Sequence, residues 1–307
     1  MEREFHAWLK LQSDENPLVK LGIGDDAAVL RSFSHAAGMV LTSDAIAEGT
    51  HFKSAEHSLE LIGRKAMAVN LSDIAAMGAT PIAALVTMVL PNHYSLEHAQ
   101  QIFGGCKKLA DEFNVAIIGG DTNRWSGELV VSVTLIGREF ATPDSFRLWQ
   151  MNGAQAGDLV VVSGSFGGSI LGHHLNFTPR VRLARHLIQN YHIHAATDVS
   201  DSLSLDLNAV ARASHVGVEL DVEQIPVSRA AELLAVQTGR SPSDHALTDG
   251  EDFELILAVA PSELGQMMND ATIRNELTVV GKFVEPVGFW LCTSGRREAI
   301  LPRGYSH

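Results

Sequence analysis

The first half of the chain alternates between segments with helical and with extended patterns of apolar residues. Residues 59–77 repeat apolar side chains at helical spacing, and Gly78 suits the left-handed residue that often ends a helix. Residues 82–90 form an apolar run that Pro91 closes, which indicates a buried strand. The same criteria predict a helix over residues 95–113 and strands over residues 115–120 and 129–137. Strands and helices therefore alternate throughout this half.

The second half continues the alternation after a polar stretch, residues 142–157, whose composition is typical of a linker. Helices are expected over residues 167–175, 202–214, 228–237 and from 261, and strands over residues 159–164, 216–222, 253–259 and 278–283. A chain of 307 residues also exceeds one typical domain. We therefore predict an α/β or α+β fold with two domains, residues 1–145 and 146–307.

Composition and charge narrow the classes of function. With 46% hydrophobic and 19% charged residues, the chain has the composition of a folded soluble protein. A formal net charge of −13 without a dense Lys/Arg run disfavours binding to nucleic acids or to anionic membranes. The N-terminal residues predict neither a signal peptide nor a membrane span, so we expect a cytoplasmic protein. Cys106 and Cys292, far apart in sequence, suggest neither a zinc site nor a disulfide framework.

Carboxylates occur where the predicted strands of the first half begin or end. Asp25 and Asp26 precede an apolar run, Asp44 ends a strand predicted over residues 39–43, and Asp121 follows the strand predicted over residues 115–120. Side chains at neighbouring strand ends can converge, and functional residues concentrate in the loops that follow such ends. These positions are therefore candidates for a shared site.

Two further pairs of polar residues fit the same chemistry. Asn70 and Asp73 are three residues apart on a predicted helix and share one of its faces, within an otherwise apolar stretch. Asp198 and Asp201 flank Ser200 at a turn that leads into another predicted helix. Asp201 also suits the N-terminal cap of that helix, which is an alternative, purely structural role.

An acidic cluster of this kind indicates cation binding. Several carboxylates held together repel each other, and they are tolerated chiefly when they bind cations. Oxygen ligands favour Mg²⁺, which is commonly held by one or two carboxylates together with substrate phosphates. ATP could thus bind an acidic protein through bridging metal ions. The sequence has no Walker loop and no protein-kinase motif set, so phosphoryl transfer would use another scaffold.

Six motifs stand in order along the chain. They are GIGDDAAVL from Gly22, LTSDAIAEGTHF from Leu41, AVNLSDIAAMGATP from Ala68, IIGGDT from Ile117, DVSDSLSLDL from Asp198 and DGEDFEL from Asp249. In order and spacing they resemble the thiamine-monophosphate kinase family, a branch of the aminoimidazole ribonucleotide synthetase-like superfamily. The SDIAAMGA element is common to the superfamily, whereas GIGDD, TSD with a following His, GGDT and GEDFEL together are typical of the thiamine enzymes. The resemblance spans nearly the whole chain, from Gly22 to the final GYSH.

The resemblance implies a two-domain aminoimidazole ribonucleotide synthetase-like fold, with the N-terminal sheets meeting across a homodimer and ATP bound between domains. The implied reaction transfers a phosphoryl group from ATP to thiamine monophosphate, with several Mg²⁺ ions as cofactors. The implied magnesium ligands are Asp26, Asp44, Asp73, Asp121, Asp198 and Asp201. The residues implied near ATP are Thr42, Ser43, Gly120, Asp121 and Ser200. Those implied near the thiamine phosphate are His51, Glu251 and Tyr305.

The acceptor in this reaction is a phosphate group, which is already ionised and needs no strong base to attack in line. No catalytic residue beyond the metal ligands is therefore implied, and positioning with electrostatic stabilisation would supply most of the rate enhancement.

Two positions depart from the family pattern. Ser202 stands where the family commonly has glycine, and Met151 stands where it usually has an arginine that contacts the nucleotide. Arg147, four residues upstream, is the candidate to replace that contact. The alternative function is a nucleotide-binding member of the superfamily with lost or different activity, either aminoimidazole ribonucleotide synthetase-like or regulatory, which would bind ATP and Mg²⁺ without forming thiamine diphosphate.

Overall fold

The computed structural model describes residues 19–21, 29–30, 38–142 and 145–305, and these residues group into two compact units. The first unit takes the chain up to Ile74 and Ala79–Phe146, and the second takes Ala75–Gly78 and the chain from Arg147 onward. Each unit combines a β-sheet with helices, so the α/β class expected from the alternating pattern is confirmed.

The secondary structure follows in chain order. The helices are α1 (Leu59–Ala76), α2 (Leu96–Glu112), α3 (His173–Asn176), α4 (Val181–Asn190), α5 (Leu203–Ala213), α6 (Arg229–Thr238), α7 (Pro242–Thr248) and α8 (Pro261–Asn269). The strands of the first unit are β1 (Val19–Leu21), β2 (Val29–Leu30), β3 (Met39–Ala47), β4 (Thr80–Pro91), β5 (Ala116–Trp125), β6 (Val130–Arg138) and β7 (Phe140–Ala141), and β8 (Phe146–Arg147) pairs with β7. The strands of the second unit are β9 (Leu159–Ser163), β10 (Ile193–Asp198), β11 (Gly217–Asp221), β12 (Leu255–Val259), β13 (Leu277–Val284), β14 (Phe289–Thr293) and β15 (Arg296–Ala299).

The main sheet of the first unit has the order β3-β6-β4-β5. Strand β6 pairs antiparallel with both β3 and β4, while β4 and β5 run parallel because α2 connects them. Along β6, buried Val131, Val133 and Leu135 alternate with half-exposed residues, so one face of the sheet lies in the core and the other is more open.

Helices α1 and α2 approach each other closely through two glycines. A Cβ at Gly63 would lie 1.8 Å from the carbonyl oxygen of Ile102, and one at Gly105 would lie 1.9 Å from that of Glu60. Only a residue without a side chain fits at either contact. Helix α2 begins with a capping box, in which Ser95 accepts the N–H of His98 and the His98 side chain accepts the N–H of Ser95.

The second unit is built on a sheet of order β10-β12-β9-β13-β11-β14-β15. Its neighbouring strands run antiparallel except for the parallel pair β11 and β14. Its core joins apolar residues of the strands, such as Val160 and Ile256, with the apolar face of α5, including Leu203 and Leu207. Helix α5 therefore begins directly at the edge of the core, where its first turn can hold buried polar groups in place.

Most predicted elements are present, with some differences in extent. Helix α1 ends as expected before Gly78, whose φ is 63°. Instead of one helix over residues 167–175, the structure has a 3₁₀ turn, Ser169–Leu171, and the short α3, because Gly172 has a φ of 125° between them. The sequence pattern did not predict five elements of the second unit, which are α4, β10, α7, β14 and β15.

Within the polar stretch predicted as a linker, residues 147–157 pack against the second unit, because Trp149 is buried and its backbone N–H donates to the carbonyl oxygen of Met77 at 2.9 Å. Both cysteines are free thiols, Cys106 buried and Cys292 half-buried. No helix in the described ranges has both the length and the apolar character that a membrane crossing requires.

Candidate functional site

Helix α1 and edge strand β3 are joined by polar side chains predicted for the site. Thr42 on β3 donates its hydroxyl hydrogen to the carboxylate of Asp73 on α1. One turn earlier on the helix, Asn70 accepts the backbone N–H of Asp44 through Oδ1 at 3.2 Å. The structure thus brings Thr42, Asp44, Asn70 and Asp73 together, because residues three apart on a helix meet residues two apart on a strand.

Asp121 lies on the other edge strand of the same sheet, β5. Its Oδ1 accepts the N–H of Thr122 at 2.9 Å, and its Oδ2 accepts an N–H of Asn123 at 2.6 Å. The preceding Gly120 has a φ of 149°, and a Cβ there would lie 1.7 Å from the carbonyl oxygen of Val86. Only glycine fits this turn of the backbone, which sets the direction of Asp121.

The expectation that Asp44 and Asp121 follow strand ends is wrong. Asp44 lies inside β3 and Asp121 inside β5, because backbone pairing continues through the polar residues where the apolar runs stop. Asp44 and Gly120 lie at the same level of the sheet, with one residue of β6 and one of β4 between them. Their Cα atoms are therefore three strand spacings, or about 14 Å, apart. Within the first unit, Asp44 and Asp121 therefore cannot bind one metal ion together.

Ser43 and His51 lie near this contact between α1 and β3. Ser43, next to Thr42 and pointing to the other face of β3, shares a hydrogen bond of 2.8 Å with the hydroxyl of Thr134. His51 accepts the N–H of Ala47 through Nδ1 at 3.1 Å, so the neutral ring carries its proton on Nε2. The fully buried Lys65 donates to the carbonyl oxygen of His51 at 2.9 Å and fixes this turn against α1.

In the second unit, the loop before α5 is organised by a carboxylate that the sequence analysis did not select. Asp206, on the first turn of α5, accepts the N–H groups of Ser200, Asp201 and Ser202 through Oδ2, at 3.0, 3.0 and 3.1 Å. Its side chain is buried. A signal for it existed in the sequence, since an Asp in the apolar repeat LSLDL falls on the core face of the helix.

The electrostatic environment of this loop is strongly negative. Burial, together with the charges of Asp201 and Asp198, raises the pKa of Asp206 to about 7, although the N–H groups of Ser202 and Asp201 act in the opposite direction. Asp198 is itself buried at the end of β10, where it pairs with Leu255. Asp198 and Asp201 are thus two carboxylates close to a third, Asp206, whose raised pKa opposes its ionisation. A cation would stabilise such a group of carboxylates.

The loop 249–254 packs directly on the loop before α5. The N–H of Glu251 donates to the carbonyl oxygen of Ser200 at 2.8 Å, and the N–H of Phe253 donates to that of Val199, also at 2.8 Å. Glu251 and Phe253 have φ angles of 60° and 53°, a left-handed conformation that non-glycine residues adopt at a cost of about 1 kcal/mol or more. Such strain is common at functional sites and fits a loop that presents Glu251.

Asp252, in the same loop, is a second buried carboxylate that the sequence analysis did not select. Its Oδ1 accepts the N–H of Gly167 at 2.8 Å, while its Oδ2 has no hydrogen-bond partner among the described residues. Burial and the charges of Glu254, Asp249 and Asp206 raise the pKa of Asp252 well above its usual value, against the effect of the Gly167 N–H.

Tyr305 reaches this site because the last residues of the described chain lie against the start of α5. Its N–H donates to the carbonyl oxygen of Asp201 at 3.1 Å, and half of the residue is exposed. The structure therefore brings Asp198, Ser200, Asp201, Glu251 and Tyr305 together in the second unit. The predicted ligand Asp26 lies outside the described residues.

The structure shows the conformation and the surroundings of the two residues that depart from the family pattern. Ser202 has a φ of 169°, which is extended backbone open to any residue, so the position does not require glycine for conformational reasons. Met151 is 40% exposed at the start of a 3₁₀ turn, Met151–Gly153. Arg147, the candidate replacement, donates from Nη1 to the carbonyl oxygen of Ile188 at 3.3 Å.

Comparison with known proteins identifies the family of the chain. The sequence profile of the N-terminal domain of AIR synthase related proteins matches residues 24–138, and that of the C-terminal domain matches residues 155–289. Thiamine-monophosphate kinase of Rhodopirellula baltica is 43% identical over 314 residues, covering 100% of this chain and 97% of the relative. The chain therefore belongs to the AIR synthase related family and, within it, to the thiamine-monophosphate kinases.

Solved structures show the same relationship. The crystal structure of thiamine-monophosphate kinase from Stenotrophomonas maltophilia K279a has 32% sequence identity and a TM-score of 0.79, covering 96% of each chain. The protein AaThiL, complexed with AMPPCP and TMP, has 26% identity and a TM-score of 0.77, covering 91% of this chain and 90% of its own. The resemblance inferred from the six motifs is thus confirmed.

Proposed function

We propose that this protein transfers a phosphoryl group from ATP to thiamine monophosphate and releases thiamine diphosphate. The observation that carries the proposal is the full-length likeness to thiamine-monophosphate kinases, 43% identical in one case. A relative of the same fold, AaThiL, forms a complex with AMPPCP and TMP. Asp73 on α1, in the first unit, and the loop that carries Asp201, in the second, each hold polar groups in hydrogen bonds, as residues that bind substrate require.

Two groups of residues would bind the substrates. In the first unit, Thr42, Ser43, Gly120 and Asp121 would lie near ATP, and Ser200 would contribute from the second. Glu251, Tyr305 and His51 would line the place of thiamine monophosphate, with the tyrosine ring offering a face to a cationic or aromatic ring.

Magnesium is part of the proposal, and the donor set fits it. No three His, Cys, Asp or Glu side chains of the described ranges converge into a complete metal site. Mg²⁺ does not require such a site, since it commonly takes one or two carboxylates and completes its shell with water and phosphate. Asp44, Asp73, Asp121, Asp198 and Asp201 would serve in this way, with Asp26 as a further ligand. When bound, Mg²⁺ would neutralise the charge of the ATP phosphates.

The contribution of the chain to the reaction would be positioning. The acceptor phosphate is ionised at neutral pH and acts as its own nucleophile, so no side chain has to remove a proton. The hydrogen bond from the Thr42 hydroxyl would hold the Asp73 carboxylate in a fixed direction before substrates arrive, and the bond from the Asp201 N–H to Asp206 would fix the backbone that carries Asp201. A pre-organised site of this kind lowers the barrier without reorganisation during the reaction.

A homodimer and a cytoplasmic location complete the proposal. Met39 and Leu41 on β3 are 55% and 61% exposed, and they lie on the face opposite Thr42 and Asp44. Exposed apolar side chains on an open sheet face mark a protein interface, which supports dimerisation through the N-terminal sheet.

The two matched profiles, residues 24–138 and 155–289, support functional domains of residues 1–145 and 146–307.

The test is a direct assay. Purified protein is incubated with ATP, Mg²⁺ and thiamine monophosphate, and thiamine diphosphate and ADP are quantified by chromatography. Wild-type protein should form both products in equal amounts, and Asp73→Asn should lose at least about 100-fold in rate because a charged ligand is replaced by a neutral one. ATP binding with no thiamine diphosphate formed would instead favour the alternative of a nucleotide-binding protein without this activity.

Oligomeric state has its own measurement. Light scattering after size exclusion should give twice the chain mass for the wild type and a lower mass for Leu41→Lys, because a charge would be buried at the interface. A wild-type monomer at micromolar concentration would contradict the dimer.

A further inference from the structure

The last described residues, Arg303–Tyr305, are bonded to two serines at the start of α5, the N-cap residue Ser202 and Ser204 in the first turn. The hydroxyl of Ser204 accepts the N–H of Arg303 at 3.0 Å and donates to its carbonyl oxygen at 2.5 Å. The hydroxyl of Ser202 donates to the same carbonyl oxygen at 3.0 Å. Both backbone groups of Arg303 are thus bonded to α5, and both serines are buried.

Two further contacts join the segment to the second unit. The Arg303 guanidinium pairs with Asp244 at 2.9 Å, but its side chain is 72% exposed, and ion pairs of this kind contribute little. The N–H of Tyr305 donates to the carbonyl oxygen of Asp201. That last bond lies two residues after Arg303, where the serines hold the backbone.

The C-terminal segment packs closely against Ser202, the serine that departs from the family pattern. A Cβ at Gly304 would lie 2.3 Å from the Ser202 hydroxyl oxygen, so this oxygen and Gly304 occupy adjacent space without room for a further atom. A glycine at position 202 has no hydroxyl and could not donate to Arg303. Ser202 therefore adds a contact to the C-terminal segment that a glycine in its place cannot make.

We infer that Ser202, Ser204 and Arg303 form a clasp that fixes the C-terminal segment against the Asp201 loop and thereby positions Tyr305 at the thiamine-phosphate site. The clasp itself rests on the hydrogen bonds, whereas its effect on substrate rests on the proposed function. Ser202 and Ser204 act through Tyr305 and are positioning residues, and they need not touch substrate themselves.

Ser202 has a second role that the test must separate. Its hydroxyl accepts the N–H of Leu205 at 3.1 Å and so caps α5. Ser204 lies inside the helix, so Ser204→Ala removes its two bonds to Arg303 and leaves the cap of α5 by Ser202 in place. Ser95→Ala is the control for the loss of a cap, since Ser95 caps α2 in the other unit.

The first measurement is structural and needs no activity. Amide hydrogen exchange of the C-terminal peptide, followed by mass spectrometry, should be at least about tenfold faster in Ser204→Ala and in Ser202→Gly than in wild type, because the local opening loses its hydrogen bonds. Ser95→Ala should leave it unchanged. An unchanged exchange rate in both Ser204→Ala and Ser202→Gly, with the proteins folded by circular dichroism, would overturn the clasp.

The second measurement links the clasp to substrate. In Ser204→Ala the KM for thiamine monophosphate should rise about tenfold while the KM for ATP stays within about twofold, because only the position of Tyr305 changes. In a Tyr305→Ala background, Ser204→Ala should have no further effect on this KM, a non-additivity expected when one residue acts through the other. Additive effects, or faster exchange with an unchanged KM, would overturn the positioning role. A wild-type protein that forms no thiamine diphosphate would refute the proposed function and leave the exchange result valid.

Discussion

The guanidinium of Arg180 binds the carboxylate of Glu254 through two hydrogen bonds, from Nε to Oε2 at 2.6 Å and from Nη2 to Oε1 at 2.5 Å. The side chain of Glu254 is only 4% exposed, and Ser163 donates a further hydrogen bond to Oε2 at 2.5 Å. Glu254 ends the strained loop that presents Glu251. The charge of the buried carboxylate is therefore compensated where the loop joins β12.

Removing the arginine should destabilise the second unit. Arg180→Met leaves the buried Glu254 without its cation, and we expect a loss of about 2–3 kcal/mol in the free energy of unfolding, because an uncompensated buried charge is costly. Urea denaturation followed by circular dichroism measures this. The control is Arg229→Met, whose pair with Glu232 is exposed and should contribute less than about 0.5 kcal/mol. Equal losses in both variants would contradict the structural role of the buried pair.

Asp206 should support activity through the loop that it organises. Asp206→Ala leaves three N–H groups unpaired, and we expect kcat/KM to fall about 100-fold, because the loop carrying Ser200 and Asp201 loses its fixed direction. Asp206→Asn keeps an acceptor oxygen and should retain more activity than the alanine variant. Steady-state kinetics with both substrates checks this order.

A buried carboxylate elsewhere in the second unit serves as the matched control for Asp206. Asp158 accepts the N–H of Gln155 at 2.8 Å and contacts His194, remote in sequence from the loops of the site. Asp158→Ala should lower stability while changing kcat/KM less than about threefold. An equal kinetic loss in both variants would show that general destabilisation, rather than the loop, explains the effect of Asp206→Ala.

Two adjacent glycines of α2 should respond in opposite directions to the same substitution. Gly105→Ala places a methyl group 1.9 Å from the carbonyl oxygen of Glu60 on α1 and should cost about 2–3 kcal/mol as the helices are forced apart. Gly104→Ala meets nothing within 4 Å and should stabilise the helix by about 0.5–1 kcal/mol. Thermal unfolding of the two variants measures both signs. A stable Gly105→Ala protein would contradict the close contact of α1 and α2.

The pH dependence of stability should report Asp252. Burial raises its pKa in the folded state, whereas in the unfolded chain it ionises near pH 4, the usual value for an Asp. As pH rises above about 4, the unfolded state loses its proton first, so the contribution of Asp252 to stability falls until the folded pKa is passed. Asp252→Asn keeps the Gly167 hydrogen bond and removes this loss. Its unfolding temperature relative to wild type should therefore rise between pH 4 and pH 8.

Asp244 provides the comparison of opposite sign. Burial acts to raise the pKa of Asp244, but the hydrogen bond and the charge of Arg240 outweigh burial, so this pKa lies below its usual value. Its contribution to stability is present above the unfolded pKa and is lost as pH falls, so Asp244→Asn should become relatively less stable as pH rises from 3 to 6. The same trend in both variants would contradict the assigned directions.

The site was only partly predictable from the sequence. Asn70 and Asp73 were expected to share a face of α1, which follows from helical spacing, but their bonds to Asp44 and Thr42 depend on the packing of β3 against that face. Asp44 and Asp121 were expected at strand ends but lie inside strands, because main-chain pairing does not stop where an apolar run stops. Arg180 and Glu254 are 74 residues apart, and no local pattern links them.

The sequence by itself determined the alternation of strands and helices, the ends of α1 and the motifs that define the family, because each depends on neighbours a few residues apart. Only the tertiary structure showed that Asp206 organises the Asp201 loop, that Asp252 is buried, and that Ser202 and Ser204 hold the chain near Tyr305. Those relationships depend on burial and on contacts between residues up to 101 positions apart, as for Ser202 and Arg303. The energy of a polar group depends on its solvent exposure and its partners, and only the folded chain supplies either.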